Sequence, residues 1–214
     1  MRFGYADDGY ARLGLSGNPF VADRDRAVEP DLWLDRAGVP EPPAAGLGLL
    51  VQLVGPKGAG KTSHLLRWRE AAPGPYHYVA PGRQRWAMPP VAPLVYWDEV
   101  DRLAAPVRRI VFGRAARMRA TVVAGTHEDL TAPARHAGLG VVTHHFPGLT
   151  PAVLRAWCDL RIAAVTLPGT SSVLDLNDAL LAAVCAEVGP SLREAAFLLH
   201  HHVAERARAA GEMG

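Results

Sequence analysis

Residues 47–62 read LGLLVQLVGPKGAGKT, and no other stretch narrows the possible folds of this chain as much. A strand-length apolar run bounded by turn residues is expected where a strand is buried on both faces, as in a parallel sheet. The octapeptide that follows, Gly55–Thr62, has the spacing GxxxxGK[ST]. After it, SHLLRWREAA has the composition of a short helix, ended by Pro73-Gly74-Pro75. In a strand, loop and helix of this kind, glycines at 55, 58 and 60 let the backbone wrap closely and turn its N–H groups toward phosphate oxygens. The helix N-terminus adds partial positive charge. Lys61 is placed to reach β- and γ-phosphates, and the Thr62 hydroxyl to hold magnesium. The expected nucleotide-binding set is Gly55, Pro56, Lys57, Gly58, Ala59, Gly60, Lys61, Thr62 and Ser63. Lysine usage agrees. The chain has 23 Lys and Arg, but its only lysines are Lys57 and Lys61, both inside the octapeptide. A planar guanidinium cannot replace a compact ammonium, so lysine is kept where that chemistry needs it.

Further strands read from the pattern are YHYVA (76–80), LVYWDEV (94–100), TVVAGT (121–126) and GVVTHHF (140–146). LVYWDE is the natural second half of the site. Four apolar residues carry a strand through the sheet, Asp98 emerges at its carboxyl end to complete a magnesium shell, and Glu99 polarises the attacking water. A hydroxyl at Thr126, ending the next strand, would sit between these two motifs near the γ-phosphate. Residues 101–118 read as a helix, with Leu103, Val107, Ile110 and Val111 on one face. Prolines make 81–93 a connector rather than a helix. After Pro147 the pattern changes to three helical stretches beginning at 151, 174 and 191. The domains are therefore expected to be an irregular leader (1–45), a nucleotide-binding core (46–148) and a helical lid (149–214).

This arrangement resembles the AAA+ ATPases, in which a Walker A loop, an hhhhDE strand and a polar "sensor 1" strand precede a helical lid. The leader, LGLSGNPF followed by DRAVEPDLWLDR, is similar to the opening of the ExeA and TniB/TnsC-like group. The resemblance implies a three-layer α/β P-loop sandwich with a parallel five-stranded sheet in the order 5-1-4-3-2. It implies Mg²⁺-dependent ATP binding with hydrolysis, and it places Asn18, Pro19 and Phe20 near the adenine. GPSLREA (189–195) resembles a "sensor 2" motif, which implies that Arg193 reaches the γ-phosphate. The catalytic set so implied is Lys61, Glu99, Thr126 and Arg193. The chain departs from the family in lacking a helix between its second and third strands. It has only Arg135 in the stretch where an arginine finger for a neighbouring subunit would lie. A nucleotide-dependent switch with little hydrolysis is the alternative reading.

Composition excludes several classes. With 49% hydrophobic and 21% charged residues the chain is neither disordered nor built for a bilayer, and no apolar run approaches the ~20 residues of a span. The start carries an early acidic pair and no apolar signal region, so a cytoplasmic location is expected. Cys158 and Cys185 are too few and too far apart for a disulfide scaffold or a zinc site, and read as core thiols. A homo-oligomer or a partner protein is the expected company. DNA has weaker support. RQRW (83–86) mixes base and aromatic, while Arg108, Arg109, Arg114, Arg117 and Arg119 make a basic helix face that Asp98, Glu99 and Asp101 dilute. His200–His202 point in three directions on a helix and cannot share a metal.

Overall fold

Five strands, all parallel, lie in the order β2-β3-β4-β1-β5 in a computed structural model that describes residues 6–21, 32–35, 38 and 41–212. They are β1 (Leu49–Val54), β2 (Tyr76–Tyr78), β3 (Leu94–Asp98), β4 (Thr121–Thr126) and β5 (Gly140–His145). Read from the other edge, this is the expected 5-1-4-3-2. β1 is an interior strand, with Leu49 opposite Thr121 of β4 on one side and Gly140 of the edge strand β5 on the other.

Alternation along the strands builds a core on each face of the sheet. Val51, Leu53, Tyr96 and Val123 pack with Leu65 and Trp68 of the helix after the glycine loop. Leu50, Val95, Trp97, Val122 and Ala124 pack on the opposite side with Val107, Val111, Phe112 and Ala134. The helices in chain order are α1 (Ala6–Arg12), α2 (Lys61–Ala71), α3 (Ala105–Arg117), α4 (Thr131–His136), α5 (Pro151–Val165), α6 (Asp178–Val188) and α7 (Leu192–Glu212). The result is an α/β three-layer sandwich with C-terminal helices.

The chain divides into two compact units, Asp35–Pro147 and the pair Met1–Leu34 with Gly148–Gly214. The leader is not wholly irregular. α1 packs on α7, with Arg12 Nη1 donating to the Ala210 carbonyl at 3.0 Å. Leu13, Leu15 and Phe20 join a core with Leu154, Trp157, Leu181, Leu199 and Val203. Residues 22–31 and 36–37, which hold the charged stretch Asp23–Arg26 and most of DRAVEPDLWLDR, lie outside the described residues.

Other expectations change: the second strand ends at Tyr78, the third at Asp98, and the helix read from 174 starts at Asp178. The helix read from 101 starts at Ala105, because Glu99 takes a left-handed turn (φ 60°) and Val100–Arg102 form a 3₁₀ turn first. With that start, Ile110 is half exposed, and the buried stripe is Val107, Val111, Phe112 and Ala115. The connector at 81–93 contains one short 3₁₀ turn, Gly82–Trp86.

Candidate functional site

The glycine loop ends in a left-handed residue, Gly60 (φ 99°), immediately before α2. A side chain at that φ is disfavoured, so glycine lets β1 turn directly into the helix. Lys61 opens α2 and is buried. Its Nζ donates to the carbonyls of Gly55 (2.7 Å) and Pro56 (2.9 Å), which folds the lysine back onto the loop. Burial pulls its ammonium below the usual lysine range, while the carboxylates of Glu99, Asp98 and Asp101 pull it back up. Lys57 is exposed, Ala59 is buried, and Ser63 is half-buried in the first turn of α2.

Asp98 ends β3 fully buried. Its Oδ2 accepts from Thr62 Oγ1 at 2.7 Å and from the Tyr76 hydroxyl at 2.9 Å, while its Oδ1 has no hydrogen-bond partner among the described residues. Gly125 of β4 makes this possible, because a Cβ there would come within 2.6 Å of Asp98 Oδ1. The pair that the sequence expected to hold magnesium, Thr62 and Asp98, is therefore in direct contact. Oxygen-only donors with one buried carboxylate oxygen unsatisfied suit a hard divalent cation.

Glu99 is turned to other partners. Its Oε2 lies 2.9 Å from Arg102 Nη2 and 3.3 Å from His127 Nδ1, and that histidine nitrogen is also 3.3 Å from Asp101 Oδ2. Arg102 in turn donates to the Tyr78 hydroxyl (3.0 Å) and the Val79 carbonyl (3.2 Å). Glu99, Asp101 and His127 bring ligand-type atoms within 4.8 Å of one another. Arg102 already supplies positive charge there and pairs with Glu99. The Thr126 hydroxyl donates to the Glu128 carbonyl at 2.8 Å and accepts from the Glu128 N–H at 3.2 Å, closing a local turn.

The sequence missed Tyr76, His127 and Arg102. Only Arg102, three residues after Glu99, had a spacing that could have pointed to a pairing. It also missed Gln52, which is buried in mid-β1. Its Nε2, with two hydrogens to donate, lies within hydrogen-bond reach of Asp129 Oδ1 (2.7 Å), Thr143 Oγ1 (2.8 Å) and Thr131 Oγ1 (3.1 Å), and its Oε1 accepts from Leu130 N–H (2.8 Å). The bonds with Asp129 and Leu130 fix the loop after β4 to β1, and the one with Thr143 ties β1 to β5.

The remaining expected residues belong to the helical unit. Asn18 Nδ2 donates to the His200 carbonyl (2.9 Å), and its Oδ1 accepts from Phe20 N–H (2.9 Å). Pro19 between them is buried. Phe20 stacks on Trp157 with ring centroids 5.4 Å apart. Arg193 is exposed in the first turn of α7, where Ser191 Oγ accepts from Glu194 N–H. Arg135 is exposed in the last turn of α4. Burial pushes the Cys158 thiol up to about 12, as suits a core thiol.

No family model matches this chain, and a search of curated proteins finds no match. No helix among the described residues is long and apolar enough to cross a membrane.

Proposed function

We propose that the chain binds ATP with Mg²⁺ at the Gly55–Thr62 loop and hydrolyses it slowly, as a trimmed AAA+-like ATPase of the cytoplasm. Its nucleotide state would be read by a second copy or by a partner protein. The observation that carries this reading is the contact of Thr62 with a fully buried Asp98 whose second oxygen is unsatisfied, one residue from a lysine folded onto the loop's own carbonyls. Magnesium, when bound, would neutralise charge on the phosphate oxygens. Lys61 exchanges two carbonyls for phosphate oxygens, which holds its charge inside a buried site. The loop amides and the N-terminus of α2 orient the phosphates. Glu99 orients water once it leaves Arg102 and His127. Thr126 and Arg193 are offered by the resemblance as sensors of the γ-phosphate.

One observation favours the second reading, a nucleotide-dependent switch: the Glu99 carboxylate is ion-paired to Arg102 at 2.9 Å and so is committed away from catalysis. ATP binding and turnover, measured against protein concentration, separate the two. Lys61→Ala is expected to lose ATP binding, and Glu99→Gln to keep ATP bound while turnover disappears. Wild-type turnover no faster than Lys61→Ala, with ATP still bound, supports the switch. Absence of ATP binding in the wild type defeats both readings.

A further inference from the structure

From Arg102 to His127 the sequence holds six arginines and no acid. Of the nearest preceding acids only Glu99 offsets one of them, Arg102. Asp98 is buried against Thr62 and Tyr76, while Glu99 and Asp101 face Arg102 and His127. Because α3 buries Val107, Val111, Phe112 and Ala115, its outer arc carries Arg109, Ile110, Gly113, Arg114 and Arg117. At ~100° per residue those five positions fall within about 140° of one another. Arg109, Ile110, Gly113 and Arg117 line a shallow depression of about 320 Å³ with His136 and Ala137 at the end of α4. Arg119, just past α3, and Arg135, beside His136, are exposed as well. Among the described residues none of Arg109, Arg114, Arg117, Arg119 and Arg135 is ion-paired.

Arg119 adds an independent observation. It has φ 51° just after the helix, a left-handed position that favours glycine. The chain accepts backbone strain there and places one more exposed cation at the C-terminal end of α3.

We propose that this arginine face of α3 and α4 binds the phosphate backbone of duplex DNA. Unpaired guanidiniums on one helix face match closely spaced phosphates. The face exposes Ile110 and Met118 but no aromatic ring on which unpaired bases would stack, which disfavours a single strand. The major groove of B-form DNA, ~12 Å wide, admits a helix, whereas that of an RNA duplex is too deep and narrow for side chains.

The test is fluorescence anisotropy of a labelled duplex DNA of random sequence, titrated with the full chain at several salt concentrations. Wild type is expected to bind with an affinity that falls steeply with salt. A variant carrying Arg109→Gln, Arg114→Gln, Arg117→Gln and Arg119→Gly should bind at least about 30-fold more weakly at low salt, with a log–log salt slope reduced by about three to four. Arg119→Gly alone should weaken DNA binding by a few-fold while raising Tm, because relief of strain and loss of a phosphate contact act in opposite directions. Lys61→Ala should bind DNA like wild type, so failure here is distinguishable from failure of the ATP reading. The proposal is overturned if wild type does not bind at low salt, or if the four-site variant binds equally well. It is also overturned if a single strand or an RNA duplex binds more tightly, or if polyglutamate displaces DNA as well as unlabelled duplex does.

Discussion

Residues 35–147 carry fourteen Lys and Arg against eight Asp and Glu, whereas residues 1–34 and 148–214 carry nine against thirteen. The modest net charge of +2 therefore hides a basic sheet unit and an acidic helical unit. Their interiors differ too. The sheet unit buries Gln52, Lys61, His64, Asp98, Thr121 and Thr126, while the helical unit buries Asn18, Arg161 and Ser191 within an otherwise apolar core. Burying a polar group is costly unless it is hydrogen-bonded. The sheet unit accepts that cost repeatedly, and beside the loop Asp98 keeps one oxygen without a hydrogen-bond partner among the described residues. The helical unit is held mainly by shape and apolar contact.

If that contrast is right, truncating the helical core should be felt mostly as lost volume. Trp157 stacks on Phe20 and lies beneath the Arg161 guanidinium, 5.0 Å from its ring centroid. Trp157→Ala is expected to destabilise by about 3–5 kcal/mol, read from the shift of the urea transition. A loss below about 1 kcal/mol would show a core that collapses freely and would break the contrast.

In the sheet unit the sensitive group is polar. Gln52→Leu keeps the approximate volume but leaves the buried Leu130 N–H without its acceptor and releases Asp129 and Thr143. The expected cost is about 2–3 kcal/mol, measured by the same denaturation. A neutral or stabilising result would show that β1 prefers an apolar centre, as its neighbours in sequence suggest.

The smallest effect is in pH. Hydrogen bonds from the Thr131 side chain, from Gln52 and from the Thr131 backbone hold the Asp129 carboxyl near about 2, below its ordinary 3.8. Its contribution to stability is therefore complete above pH 3.8 and is lost as pH falls through about 2. NMR titration of the Asp129 carboxyl should follow this course, and in Gln52→Leu the midpoint should move back up. An unchanged midpoint would detach Gln52 from the loop it is described as holding.

Much of the sheet unit was legible because its signals are local. A glycine loop between an apolar run and a helix, and an acid ending a strand, each lie within about ten residues of sequence. Tyr76 was not legible, because its bond to Asp98 depends on β2 lying beside β3 in register, with Tyr76 opposite Tyr96. Nor was the turn of Glu99 toward His127, which joins the ends of two strands. α1 was missed because its seven residues, ADDGYAR, carry too few apolar positions for a period to show, and it packs on α7. α4 was hidden by Pro133, which is tolerated only because it falls in the first turn.

The bond from Arg12 to Ala210 spans 198 residues, and the whole sheet unit is encoded between its ends. During translation α1 leaves the ribosome long before α7 exists, at ~5–20 residues per second roughly 10 to 40 s earlier. The apolar side chains after it, Leu13, Leu15 and Phe20, must wait through that interval without their partners. The inserted sheet unit does not need to wait for α7 and has time to close first. A chain ending at residue 147 would therefore hold every strand of the sheet but none of the C-terminal helices that bury Leu13, Leu15 and Phe20.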